Sequence, residues 1–244
     1  MRSLFFSKLY RECGRRGTTL IEMVVSFALL GIFVAMSTVI ISNVTGLYYH
    51  VRGESYARQV GDIVVNKVSS EISGSFYETR NNTLNARVDV NSDFTIMLNN
   101  SESTVTPDGN SIVLYDRTNT GVRIYASEGV LQIYYLPIDD QITPENTREG
   151  VVWKFDPQIY NGYEIKALYF APANQEVNKT IADLFDIEEP STGSYDADVV
   201  AVYMKLQSGR YGSFDICRYV RMYNVSDSAN WYYDNAENMY YIAE

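Results

Sequence analysis

Arg15-Arg16-Gly17-Thr18-Thr19-Leu20-Ile21-Glu22 runs directly into Met23–Ser42, a stretch of about 20 residues without a charge. Wound as an α-helix at about 1.5 Å per residue, that stretch is about 30 Å long, the thickness of a bilayer's hydrocarbon core. It is long enough to cross once. Basic residues beside a membrane span stay on the cytoplasmic face, so Arg15 and Arg16 place the N-terminus inside and the rest of the chain outside. Glu22 is the anomaly. A charged side chain near the middle of a bilayer helix costs roughly 3 kcal/mol, less toward the interface, so an acid at the edge of this run calls for a partner.

Downstream of the run, apolar residues recur at Val44, Leu47, Val51, Tyr56, Val60, Ile63, Val64, Val68 and Ile72, steps of three to five that track one helical face. Arg52, Glu54, Arg58, Asp62, Lys67 and Glu71 fill the other side, and no proline occurs before Pro107. The spacing predicts one helix from about Thr19 to Ser73, near 80 Å long, with Gly74 as its C-cap. Gly46, Gly53 and Gly61 each cost about 1 kcal/mol relative to Ala and mark places where it can bend or partly melt.

Beyond Gly74 the period changes from 3.6 to two. Asn81, Asn82, Asn85, Asn91, Asn99, Asn100 and Ser101 punctuate a loop-rich stretch with one strand, Phe94–Leu98. Strands then follow in hairpin order at Ser111–Tyr115, Gly121–Ala126 and Val130–Leu136, with turns at Asn119-Thr120-Gly121 and Ser127-Glu128-Gly129. Val151–Phe155 and Glu164–Phe170 are expected to continue this antiparallel meander. An acidic insertion over 171–197 carries a short helix at Lys179–Phe185, and two long strands, Asp198–Gln207 and Tyr211–Tyr223, come after it. In the second, Phe214, Ile216, Val220 and Met222 share one face, while Cys217, Tyr219, Arg221 and Tyr223 share the other. The tail Asn224–Glu244 is aromatic and polar without clear period.

Composition agrees with a packed, β-rich body: 46% of residues are hydrophobic and 14% aromatic, with 21 tyrosines. The formal charge of −10 conceals a division, because residues 1–17 carry +4 and the rest −14. An acidic exterior is a poor surface for nucleic acid, whose phosphates demand clustered Lys and Arg. The single histidine, His50, leaves no His-based triad and no His-rich metal site to assemble, and no Gly-rich phosphate loop is present. No catalytic, cofactor-binding or metal-binding residue is therefore assigned, and the chain is read as a non-enzyme. Asp227, Asn230 and Asp234 lie in one loop, but their spacing does not match a twelve-residue calcium loop. Cys13 and Cys217 are the only cysteines, and Cys217 is read as a small half-buried thiol in a strand. Tyrosine pairs at 48 and 49, 134 and 135, 232 and 233, and 240 and 241 are explained chiefly by strand packing.

Gly17-Thr18-Thr19-Leu20-Ile21-Glu22-Met23-Val24-Val25, preceded by Arg15-Arg16, closely resembles the prepilin processing motif of type IV pilins and of the pseudopilins of type II secretion. The resemblance covers roughly residues 11–45 by sequence and the order of long helix and antiparallel strands beyond them. It implies that a membrane prepilin peptidase and methyltransferase cuts between Gly17 and Thr18 and methylates the new Thr18 amine. It also implies that Arg15 and Arg16 are the leader's basic flank and that Glu22 serves assembly with other subunits. The family's mature chains usually begin with Phe or Met, whereas this one would begin with Thr18. Lack of the C-terminal disulfide of many Gram-negative pilins favours a Gram-positive source or the pseudopilin branch. A mature chain of 227 residues is large for a major subunit and suggests a minor pilin, of the W type or the related J-type pseudopilins.

The expected organisation is a leader at 1–17, a transmembrane half-helix at 18–43, an amphipathic half at 44–74 and a β-rich head at 75–244. That is an α+β, pilin-like chain with a cytoplasmic N-terminus and an extracytoplasmic head. Its partners would be the peptidase, membrane lipid before assembly, and other pilin or pseudopilin helices. A pseudopilin of a secretion system, and a membrane-anchored binding or adhesin module using the same leader, are the alternatives. An ordinary secreted protein cut between Ala35 and Asn43 is a third class, which Glu22 inside the signal core argues against.

Overall fold

The structure is a computed structural model, and it describes residues 19–75, 86–90, 93–98, 101–115, 121–136, 150–175, 179–186, 196, 198–225 and 230–243. Its class is α+β, with one long helix and antiparallel sheets. Helix α1 is Leu20–Gly74. In chain order there follow β1 (Ala86–Asp89), β2 (Phe94–Leu98), β3 (Ser101–Val105), β4 (Ser111–Tyr115), β5 (Gly121–Ser127), β6 (Val130–Leu136) and β7 (Val151–Lys154). A 3₁₀ turn at Pro157–Tyr160 leads to β8 (Glu164–Pro172), helix α2 (Lys179–Phe185), β9 (Val199–Ser208), β10 (Gly212–Arg221), β11 (Asn230–Asp234) and β12 (Met239–Ala243). The chain divides into two compact units, Met1–His50 and Val51–Glu244.

In the first unit every described residue from Thr19 to His50 is exposed except the half-buried Ser37. Leu20, Phe27, Phe33 and Leu47 are 83%, 66%, 69% and 65% exposed, on a segment long and apolar enough to cross a membrane.

The second unit is built on the remainder of α1. Gly53, Ala57, Val60, Gly61, Val64, Val65, Val68 and Ile72 are buried there. These positions follow the 3.6-residue repeat and share one core with both larger sheets. Of the expected apolar face, Val44, Leu47 and Val51 are exposed and Ile63 is 44% exposed, and the buried stripe begins at Gly53. Gly53 and Gly61 are contact points, and the helix runs through both. A Cβ on Gly61 would lie 2.0 Å from Ile216 Cδ1, and one on Gly53 would lie 2.6 Å from Tyr211 Cβ, whereas Gly46 faces open space. The helix end is corrected. Gly74 is not left-handed; instead the Ser75 amide and hydroxyl donate to the Ile72 carbonyl at 3.2 and 2.6 Å.

Seven strands form the first sheet in the order β11-β12-β1-β4-β5-β6-β7, all pairs antiparallel. Its inner face presents Val88, Ile112, Leu114, Val122, Ile124, Ala126, Leu131 and Ile133 to the core. Its outer face is covered by the β2–β3 hairpin through Phe94, Ile96, Leu98 and Val105, which pack on Tyr125 and Tyr134. Strand β5 is consequently buried on both faces and reads as a continuous run rather than an alternation. The tight β5–β6 turn has left-handed backbone at Glu128 (φ 57°) and Gly129 (φ 76°), a two-residue geometry that suits the twist of paired strands.

The meander stops at β7. Strand β8 leaves it and pairs with β9 in a separate three-stranded sheet, β10-β9-β8. A register shift between Ile165 and Ala167 turns the strand over, so that Ile165, Leu168 and Phe170 face the main core while Ala167, Tyr169 and Ala171 face the other way. Helix α2, from the acidic insertion, covers that second face with Ile181 and Phe185. Asn110 joins the sheets: its side chain donates to the Phe170 carbonyl at 2.8 Å and accepts the Phe170 amide at 2.7 Å.

Candidate functional site

The residues singled out by sequence divide at the edge of the described chain. Arg15, Arg16, Gly17 and Thr18 lie outside the described residues, and Glu22 lies inside, in the first turn of α1. Thr19 directly precedes the helix, and its carbonyl accepts the Met23 amide at 3.2 Å, the first bond of the helical ladder. Its own amide donates to Glu22 Oε2 at 2.9 Å, and its hydroxyl donates to the same oxygen at 3.2 Å. In return the Glu22 amide donates to Thr19 Oγ1 at 3.3 Å. This reciprocal arrangement is a capping box, in which a Thr at the cap and a Glu three residues later satisfy backbone donors that the helix cannot.

The carboxylate that looked unpaired thus has a local role. It accepts two donors at the positive end of the helix dipole, where an acid is favoured by about 0.3–1 kcal/mol, and a cap contributes about 1 kcal/mol more. Against a cost of roughly 3 kcal/mol at mid-bilayer, these offset part of the penalty. Oε1 has no partner among the described residues, which leaves one carboxylate oxygen free to accept from outside the helix. Thr19 was the residue that charge-based reading passed over; its signal, Thr-x-x-Glu ahead of an apolar run, stands in Thr19-Leu20-Ile21-Glu22.

From Met23 to Ser42 the exposed helix surface is mostly apolar and carries no charge. Thr38 returns its hydroxyl to the Val34 carbonyl at 2.9 Å. Tyr48 and Tyr49, 54% and 37% exposed, make an edge-to-face pair within α1, so strand packing does not account for this pair.

The remaining candidates take structural places. Tyr134 and Tyr135 sit in β6, Tyr232 and Tyr233 in β11, and Tyr240 and Tyr241 in β12, with rings of Tyr232 and Tyr241 stacked 5.9 Å apart. Asp227 lies outside the described residues. Asp234 Oδ1 accepts the amides of Ala236 and Glu237 at 2.8 and 3.3 Å, closing the β11–β12 turn. Among the described residues no group of three or more His, Cys, Asp or Glu is placed to hold a metal ion. Cys217 is exposed on β10, a correction to the half-buried reading, since its face of β10 is the one turned from the core. Desolvation of the sulfur raises the thiol from its ordinary value, against hydrogen bonds with Tyr219 and Tyr203 that lower it.

Comparison with known proteins found no matching family model, no similar curated protein and no similar solved structure.

Proposed function

We propose that this chain is a structural subunit, a minor pilin, of a type IV pilus-like filament. On this reading a prepilin peptidase releases residues 1–17, the helix anchors the subunit in the cell membrane with its head outside, and the same helix later packs among those of other subunits. One observation carries the proposal. An exposed apolar segment of membrane length begins with a capped Thr19–Glu22 pair that follows Arg15-Arg16-Gly17-Thr18, and the same helix is clasped by a β-rich head from Gly53 onward. An apolar helix surface of that extent demands lipid or other helices. The head's fold is then pilin-like in kind, a long helix laid into antiparallel sheet.

Replacing Gly17 with Phe tests the leader. The expected result is a chain that reaches the membrane with residues 1–17 attached; normal removal of the leader from that variant would overturn the reading. A membrane-anchored binding module is favoured by one feature, the aromatic surface of the head, where Tyr223, Tyr232 and Tyr233 are 75%, 45% and 43% exposed. A processed chain that stays a dispersed membrane monomer, never found with other pilin-type chains, would favour that module over a filament subunit.

A further inference from the structure

We draw no further inference here: the strongest candidate, the outer-face stripe of the seven-stranded sheet on which Tyr232 of β11 stacks against Tyr241 of β12 beside Arg87 of β1, is a surface patch, and nothing in the structure shows what covers it.

Discussion

Tyr163 donates its hydroxyl to the backbone carbonyl of Gly53 at 2.9 Å, tying a residue just before β8 to the point where α1 first becomes buried. The ring of Tyr163 stacks on that of Tyr211, 6.0 Å away, and Tyr211 lies over the bare Cα of Gly53. Gly53 therefore serves as the seat of an aromatic clasp. Only a residue without a side chain lets Tyr211 come so close.

A Cβ at Gly53 meets Tyr211 Cβ, an atom that cannot swing away without moving its backbone. Gly53→Ala is expected to destabilise the head by about 1–3 kcal/mol through overpacking, more than the helix-propensity gain of about 1 kcal/mol returns. Gly46→Ala meets nothing within 4 Å and should show only the gain. Denaturant unfolding of the detergent-solubilised chain checks both; equal effects at the two glycines would contradict the clasp.

Arg123 and Asp89 form an ion pair at 3.0 Å beneath the β2–β3 hairpin, with side chains 11% and 12% exposed. Arg123 also donates to Ser111 Oγ at 3.3 Å and lies 4.2 Å from the centre of the Phe94 ring. Asp89→Ala leaves a guanidinium buried without its counter-ion, a change expected to cost about 3–5 kcal/mol. Replacing both, as Asp89→Leu with Arg123→Met, should cost much less. Unfolding free energies of the single and double variants decide the point, and an additive double variant would show that the pair is not coupled.

Burial pushes the Tyr125 phenol from 10.0 to about 12, and Tyr160, Tyr169 and Tyr203 are raised for the same first cause. A phenol raised on folding contributes its stability in full below pH 10 and loses it as pH climbs through about 12, because the unfolded chain gives up its proton first. Stability should be flat up to pH 10 and then fall, with Tyr125 alone accounting for on the order of 2 kcal/mol. Tyr125→Phe should make the fall shallower; unfolding free energies measured between pH 8 and 12 read this directly.

Much of the secondary structure was legible because hydrophobic period reports which face is buried. The helix was expected at Thr19–Ser73 and runs Leu20–Gly74; Phe94–Leu98 and Lys179–Phe185 occur at the expected residues. The strands that escaped did so for separate reasons. In β3, Ser101, Glu102, Ser103 and Thr104 are all exposed, so the strand shows no apolar alternation. In β1, Arg87 and Asp89 occupy the outer face and hide Ala86 and Val88 among polar neighbours. In β11 and β12, tyrosines stand on both faces and mask the alternation of Trp231 and Ile242, both buried.

Partition of the strands between the two larger sheets was not legible at all. It depends on pairings such as β1 with β12, whose residues Arg87 and Tyr241 are far apart in the chain, and on a bulge that inverts β8. Glycines misled for a related reason. Local propensity marks Gly53 and Gly61 as weak points of a helix, and only Tyr211 and Ile216, from the turn before β10 and from β10 itself, show why they are there. At the candidate site the converse held: the capping box was local and readable in Thr19 and Glu22, but attention to the charge of Glu22 obscured its hydrogen bonds.

Mass spectrometry of filaments sheared from the cell surface tests the central claim most directly, because it reads processing and assembly in one sample. The account predicts that the chain is present there alongside other pilin-type subunits, with an N-terminal peptide that begins at Thr18. Recovery of the chain only from the membrane fraction, or with residues 1–17 still attached, would contradict it.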